Sequence, residues 1–328
     1  METSADSMGT TFSLVLYGTR RDKMEEAANS AFDELQRLHN LLSIYRPASV
    51  WSRINRLAGQ RPVAVSPEVF QLISRCLRYS RRSQGTFDIT VGPLMKTWGF
   101  FRGPGRLPGQ DEVAAALAKV GYRHLRLDPA GRTVRFDIEG MEINPGGIGK
   151  GYAVDRIVAI LRQKGFHTAL VMASSSSIYG MGAPPGEARG WKIAIRHPNR
   201  PRRHSATEVF LKDMSLSTSG GFAQTFWAGG KGFSHIMDPR TGYPARGMLL
   251  VSVTAPRALD SEAWTKPFFI HGRSWAAKNK PERLNAFFCE DAPEQTWGWL
   301  SPAPVPVPPA SPGTSPLDKG GNWCLIHS

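Results

Sequence analysis

The stretch Asn144-Pro-Gly-Gly-Ile-Gly-Lys-Gly-Tyr-Ala-Val-Asp155 constrains this chain more than any other. Four glycines, Gly146, Gly147, Gly149 and Gly151, crowd around one lysine, Lys150. Glycine weakens the interior of helices and strands, so this density predicts a tight turn. The pattern that follows predicts a helix from Tyr152 to about Lys164, closed by Gly165. Without Cβ atoms the turn lets backbone groups approach a ligand closely. The helix points its positive end into the turn, where an anion is favoured. Lys150 adds a full positive charge, so a phosphate-bearing ligand fits the chemistry. A ligand-free, close-packed strand-to-helix connection explains the glycines too, and short matches of this kind recur by chance.

Composition narrows the choice. A chain of 328 residues can bury a substantial core, as one large domain or two intertwined lobes. No apolar run approaches the length of a membrane helix. The net charge of +14 makes nucleic acid the first partner to consider. However, the basic residues are scattered. Their densest cluster is Arg196, Arg200, Arg202 and Arg203 with His197 and His204, in a proline-containing loop, and no nucleic-acid motif spacing appears. A di-anionic small ligand or an acidic partner surface fits better than nucleic acid. Cys76, Cys289 and Cys324 lack metal-ligand spacing, and Cys76 falls in an apolar helical pattern. The first residues lack a basic start followed by an apolar stretch. We therefore expect an opening strand, and a targeting segment, to be missing from this sequence.

Thr10 to Tyr17 alternates polar and apolar residues as a strand does, and Asp22 to Leu42 reads as a long amphipathic helix. Ser66 followed by Pro67 opens another helix that runs to about Ser83. A short helix is expected over Asp111 to Lys119, and strands over Tyr122 to Leu127 and Thr133 to Phe136. Further strands are expected at Thr168 to Met172, Trp191 to Arg196, 207–212, 214–218, 248–254 and Leu284 to Cys289, with a helix from Glu262 to about His271. The lack of a regular βαβ period argues for α+β architecture over a doubly wound sheet. Residues 1–300 are expected to form the folded part, and the proline-rich tail over 301–328 cannot pack a core and is expected to be disordered.

Five segments combine into a specific pattern. They are Met8-Gly-Thr10; Ser43-Ile-Tyr45 with Ser49 and Asn55; Gly85-Thr-Phe-Asp-Ile-Thr-Val-Gly-Pro-Leu94 ending in Trp98-Gly-Phe100; the glycine turn; and Ser234-His-Ile-Met-Asp-Pro-Arg-Thr-Gly-Tyr-Pro244, preceded by Ser217-Thr-Ser-Gly220. In this order and spacing they resemble the FAD:protein FMN transferase (ApbE) family over about residues 8 to 290. The His-Ile-x-Asp-Pro-x-Thr-Gly core is the most specific element.

The resemblance implies an α+β, two-lobed fold with a T-fold-like core and a flavin cleft between the lobes. It also implies FAD as substrate, a divalent cation such as Mg2+, and transfer of FMN to a threonine or serine hydroxyl of an acceptor flavoprotein. AMP leaves, and family members are usually exported or anchored at the bacterial cell envelope. Matching positions assign flavin contacts to Met8, Tyr45, Thr86, Phe87, Asp88, Asn144, Lys150 and Ile236; His235, in the most specific motif, is the candidate for general base or acceptor-side hydrogen bonder. Core packing explains Tyr45 and Phe87 as well, and Asp88 suits a turn cap. Asp238 and Arg240 suit an ion pair that holds their loop. The family's metal positions fall on the Gly147 carbonyl, Ser261 and Thr265.

Three neutral residues replace family carboxylates: Asn144, Ser177 and Ser261. A hard dication prefers carboxylate oxygen, so these changes weaken the expected metal site. Asp260 is a candidate replacement if it caps the helix, and Glu262 a further one. The departures keep two other readings open: a non-catalytic flavin-binding protein, and an FAD pyrophosphatase.

Overall fold

The computed structural model describes residues 1–198, 205–221, 225–291, 297–301 and 324–325. Its centre is an eight-stranded sheet in which every neighbouring pair is antiparallel. The strands are β1 (Glu2–Ser7), β2 (Thr10–Leu16), β3 (Ala169–Ala173), β4 (Ser177–Met181), β5 (Met214–Gly220), β6 (Met248–Ala255), β7 (Asn285–Glu290) and β8 (Trp297–Trp299). They lie side by side in chain order, and no sheet among the described residues closes into a barrel. The architecture is α+β, as expected.

Both faces of this sheet are covered, so β3 and β4 are buried along their whole length. On one face lie helices α1 (Arg21–Leu42), α6 (Gly149–Gln163) and α7 (Ala258–His271). Phe12, Leu14, Leu16, Val171 and Tyr179 meet the stripe Ala27, Ala31, Leu35 and Leu38 of α1 and the buried side of α6. Side chains of opposite pleat, Leu170, Met172, Ile178, Leu216, Leu250 and Phe287, pack on the other face. Their partners are Trp191, Ile193, Ile195, Val209 and Leu211, from the strands Trp191–Arg196 and Ser205–Leu211.

The rest of the core joins this body to a helical part. It contains α2 (Val50–Leu57), α3 (Pro67–Arg82), α4 (Gly92–Thr97) and α5 (Gln110–Leu117), with a small sheet of Val63–Ala64, Thr133–Phe136 and Leu125–Asp128. The last helix is α8 (Arg273–Asn279). A continuous cluster runs from Trp51, Ile54, Ile73 and Cys76 to Leu259, Trp264 and Phe268 of α7, and on to Val251 and Phe288. Each large side chain buried there stabilises the fold by about 2–3 kcal/mol. Ser66 caps α3 as expected, its side chain accepting from the Val69 N–H with Pro67 in the first turn. Among the described residues no helix is long and apolar enough to cross a membrane.

A strand that was not anticipated, Glu2–Ser7, pairs with Thr10–Leu16 through a two-residue turn. Three expectations are corrected. Tyr122–His124 is a turn of 3-10 helix, and strand begins only at Leu125, because Gly121 and its neighbours bend the chain there. Helix α6 starts at Gly149 and α7 at Ala258, each several residues ahead of its expected start. Glycine and serine lowered the apparent helix signal at those ends, and packing of α6 against α7 restored it. Arg200, Arg202, Arg203 and His204 of the basic loop lie outside the described residues, as does most of the 301–328 tail. Within the tail, Cys324–Leu325 pair in parallel with Ile193 and Ala194.

Candidate functional site

The glycine turn is held from below. Asn55 grips the backbone of Ile143 with both ends of its amide, donating to the carbonyl at 3.0 Å and accepting from the N–H at 2.8 Å. Ser49, from the same sequence motif, caps α2. Asn144 donates its N–H to the Ile89 carbonyl at 2.6 Å, and its side chain accepts from the Gly146 N–H at 2.8 Å. Pro145–Gly147 then forms one 3-10 turn before α6.

Gly151 owes its identity to packing rather than to a ligand. A Cβ there would stand 2.3 Å from the Ala258 carbonyl oxygen, so only glycine lets α6 and α7 approach this closely. Asp155, one turn on, accepts from the N–H groups of Ala258 and Leu259 and so caps α7 from the neighbouring helix. Burial raises the Asp155 carboxyl to about 6.

The early start of α6 places Lys150 in its first turn. A cation at a helix N-terminus is unfavourable by about 0.3–1 kcal/mol, because backbone dipoles already make that end positive. Glu262 of α7 offsets this in part, with Oε1 3.7 Å from Lys150 Nζ and Oε2 accepting from the Gly151 N–H at 2.6 Å.

A cavity of about 200 Å³ opens over this helix end. It brings together Thr86, Phe87, Asp88, Asn144, Gly147, Lys150, His235 and Ile236 from the expected set, with Gly146, Ser176, Ser219, Glu262 and Lys266. Thr86 is fixed by donation to the Ser83 carbonyl at 2.8 Å, and Phe87 packs edge-on against Tyr79. Asp88 holds a turn: Oδ1 accepts from the Thr90 N–H and hydroxyl, and Oδ2 from the Tyr122 N–H. Burial raises its carboxyl to about 6, and those hydrogen bonds oppose the rise. His235 stands edge-on to Phe100, with ring centres 6.4 Å apart. The loop behind it is tied by Arg240, which holds Asp238 with two nitrogens at 2.9 and 2.8 Å. This is the structural ion pair expected from the sequence.

Four expected residues do not line this cavity. Met8 forms the turn between β1 and β2 with Gly9, at φ of +53° and +75°, a pair of left-handed residues that suits a tight hairpin. That conformation is strained for methionine, and the side chain reaches the start of α6 at Gly149. Tyr45 is 52% exposed and donates to the Phe101 carbonyl at 2.9 Å. Its ring lies 5.0 Å from that of Phe101, which lines a second cavity that also touches Asn144.

Ser261 and Thr265 are fully buried behind the cavity wall. Ser261 Oγ lies 2.7 Å from Ser217 Oγ and 3.0 Å from Ser215 Oγ, and donates to the Ala258 carbonyl. Ser217 in turn meets Ser177 at 3.0 Å. Thr265 donates to the Glu262 carbonyl and accepts from Ser219.

This arrangement does not fit a dication. Ser261 and Thr265 spend their hydroxyls on protein partners, and the Gly147 carbonyl accepts from Lys266 Nζ at 3.5 Å. Asp260 is no substitute: α7 begins before it, Tyr79 donates its hydroxyl to one oxygen, and Arg257 holds the other at 3.0 Å. Among the described residues no group of three or more His, Cys, Asp or Glu side chains is placed to hold a metal ion. The positions expected to hold a metal, Gly147, Ser261 and Thr265, are taken up here by a carbonyl bonded to Lys266 and by a buried hydroxyl network.

Lys266 was not anticipated from the sequence. Its signal was a single cation in the otherwise apolar run Ala263-Trp-Thr-Lys-Pro-Phe-Phe269. It donates to the Glu262 carbonyl at 3.1 Å as well as to Gly147. Desolvation lowers its ammonium to about 8, against the attraction of Glu262 and with the repulsion of Lys150.

Known proteins resemble this chain along nearly its full length. Residues 8–288 match the profile of the ApbE family. An FAD:protein FMN transferase of Klebsiella pneumoniae is 30% identical over 90% of this chain and 86% of its own length. One from Treponema pallidum is 31% identical over 76% of this chain and 72% of its own. The crystal structure of the ApbE protein of Thermotoga maritima superposes with a TM-score of 0.83 at 26% identity, covering 91% of this chain and 96% of that one. The glycine turn, the His235 loop and the antiparallel sheet thus sit in a chain whose match runs through all five motifs, and this chain belongs to the ApbE family.

Proposed function

We propose that this chain is an FAD:protein FMN transferase. The observation that carries the reading is Lys150 in the first turn of α6, facing a cavity where the helix end already favours an anion. The pyrophosphate of FAD suits that position. The two cavities adjoining at Asn144 suit an elongated ligand, with Tyr45 and Phe101 at the far rim.

In the proposed reaction a threonine or serine hydroxyl of an acceptor flavoprotein attacks the phosphorus of the FMN half. His235 takes the hydroxyl proton. The bond to the AMP phosphate breaks, FMN becomes a phosphoester of the acceptor, and AMP leaves. Phosphoryl chemistry of this kind relies on positioning and charge stabilisation more than on covalent help. The α6 N–H groups and Lys150 supply both. Phe87 and Ile236 give the cavity its apolar walls.

The test is incubation of the purified chain with FAD and a threonine-bearing acceptor flavoprotein. Flavin fluorescence that survives on the denatured acceptor, with AMP released in equal amount, is the expected result. AMP and free FMN without labelled acceptor would support the pyrophosphatase instead. The neutral residues Asn144, Ser177 and Ser261 favour one second reading, a flavin-binding protein without transfer; it predicts bound FAD and no AMP.

A further inference from the structure

We propose that the ammonium of Lys266 stands in for the divalent cation implied by the family resemblance, so that two lysines hold the FAD pyrophosphate and no metal is required. This rests on the flavin reading above and specifies how its phosphate end is bound. Lys266 Nζ donates to Gly147 O, one of the expected metal ligands, at 3.5 Å, and to Glu262 O at 3.1 Å. Both partners are carbonyl oxygens, which satisfy an ammonium but give a dication no anionic ligand. An ammonium has three N–H donors, so one remains for a ligand in the cavity that Lys266 lines.

The charges around it agree. Among the described residues no carboxylate lies within ion-pair distance of Lys266, and Glu262 is shared between the Gly151 N–H and Lys150. Asp88, which also lines the cavity, has its carboxylate committed to Thr90 and Tyr122. Two lysines and a helix N-terminus therefore face one cavity with a single partnering carboxylate. That imbalance suits a ligand with two negative charges.

The same substitution explains the neighbouring residues. Buried carboxylates at 177 and 261 would be uncompensated without a dication, and an unpaired buried charge is strongly destabilising. Serines occupy both positions and satisfy one another through Ser217.

The experiment measures FAD affinity of the full chain by flavin fluorescence, in EDTA and in millimolar Mg2+, together with calorimetric titration of Mg2+ alone. The expected result is the same affinity in both buffers within about twofold, and no heat of Mg2+ binding. Lys266→Met should weaken FAD about tenfold or more in both buffers, as for loss of a charge-assisted hydrogen bond, while its thermal midpoint shows that the fold is kept. The double variant Ser261→Asp/Lys266→Ala should bind FAD better with Mg2+ than with EDTA. A tenfold loss of wild-type affinity in EDTA, restored by Mg2+, would overturn the proposal and leave the flavin reading standing. Failure of the wild type to bind FAD in either buffer would remove both.

Discussion

Two neighbouring stripes of α7 behave in opposite ways. Ser261 and Thr265 are four residues apart and face the sheet, where their hydroxyls meet Ser215, Ser217 and Ser219. Glu262 and Lys266, one position further along, face the cavity. One residue on a helix is a rotation of about 100°, enough to separate a neutral, saturated network from the charged wall of the cavity. The lesson is that matching a family's ligand positions does not locate the charge. Here it sits on the adjacent stripe.

Breaking the comparison altogether should have the largest effect. Gly151→Val would push α6 from α7 and disturb both stripes at once. We expect a loss of about 4 kcal/mol, seen as a lower denaturation midpoint, with loss of FAD binding. An unchanged midpoint would mean that the helices part easily and that the site is not held by their contact.

Next comes the saturated stripe. Ser261→Asp introduces a buried charge and should destabilise the chain by about 3 kcal/mol. Ser261→Ala leaves its serine partners under-bonded at about 1–2 kcal/mol. Equal effects in urea titration would show that the network tolerates charge and is not closed.

A third test concerns Asp88, a carboxyl on the cavity wall that belongs to the saturated class. Its folded value of about 6 lies above the ordinary 3.8. The folded state therefore holds its proton more tightly than the unfolded chain. Its contribution to stability is fully present below about pH 4 and is lost as pH rises through about 6, amounting to about 3 kcal/mol. Asp155 titrates in the same window, and His124 and Cys76 are the ionisable neighbours of Asp88. The difference between wild type and Asp88→Asn isolates the effect; parallel stability curves from pH 4 to 7 would refute it.

The smallest effect sharpens the charged stripe. Lys150→Met should reduce FAD affinity about tenfold, or about 1.4 kcal/mol, with little change in midpoint. A drop in stability without a drop in affinity would make Lys150 a structural partner of Glu262 and nothing more.

Much of the local structure was legible. The buried stripe of α1, the Ser66 cap and the Asp238–Arg240 pair followed from spacing and residue chemistry, which act over a few neighbours. The helix starts at Gly149 and Ala258 were not legible, because glycine and serine argue against helix locally. The contact that overrides them joins residues over a hundred positions apart, Gly151 with Glu262 and Asp155 with Ala258. Lys266 escaped notice for a related reason. Nothing in its neighbourhood shows that the Gly147 carbonyl lies within reach of its ammonium.

The sequence by itself determined the family, the elements and the glycine turn that opens α6, since motifs and periodicity are properties of neighbouring residues. Tertiary structure decided which face of α7 meets the cavity, and so which residues carry charge there. That choice depends on helix rotation and on one glycine contact across the α6–α7 crossing, and neither is written in any single segment.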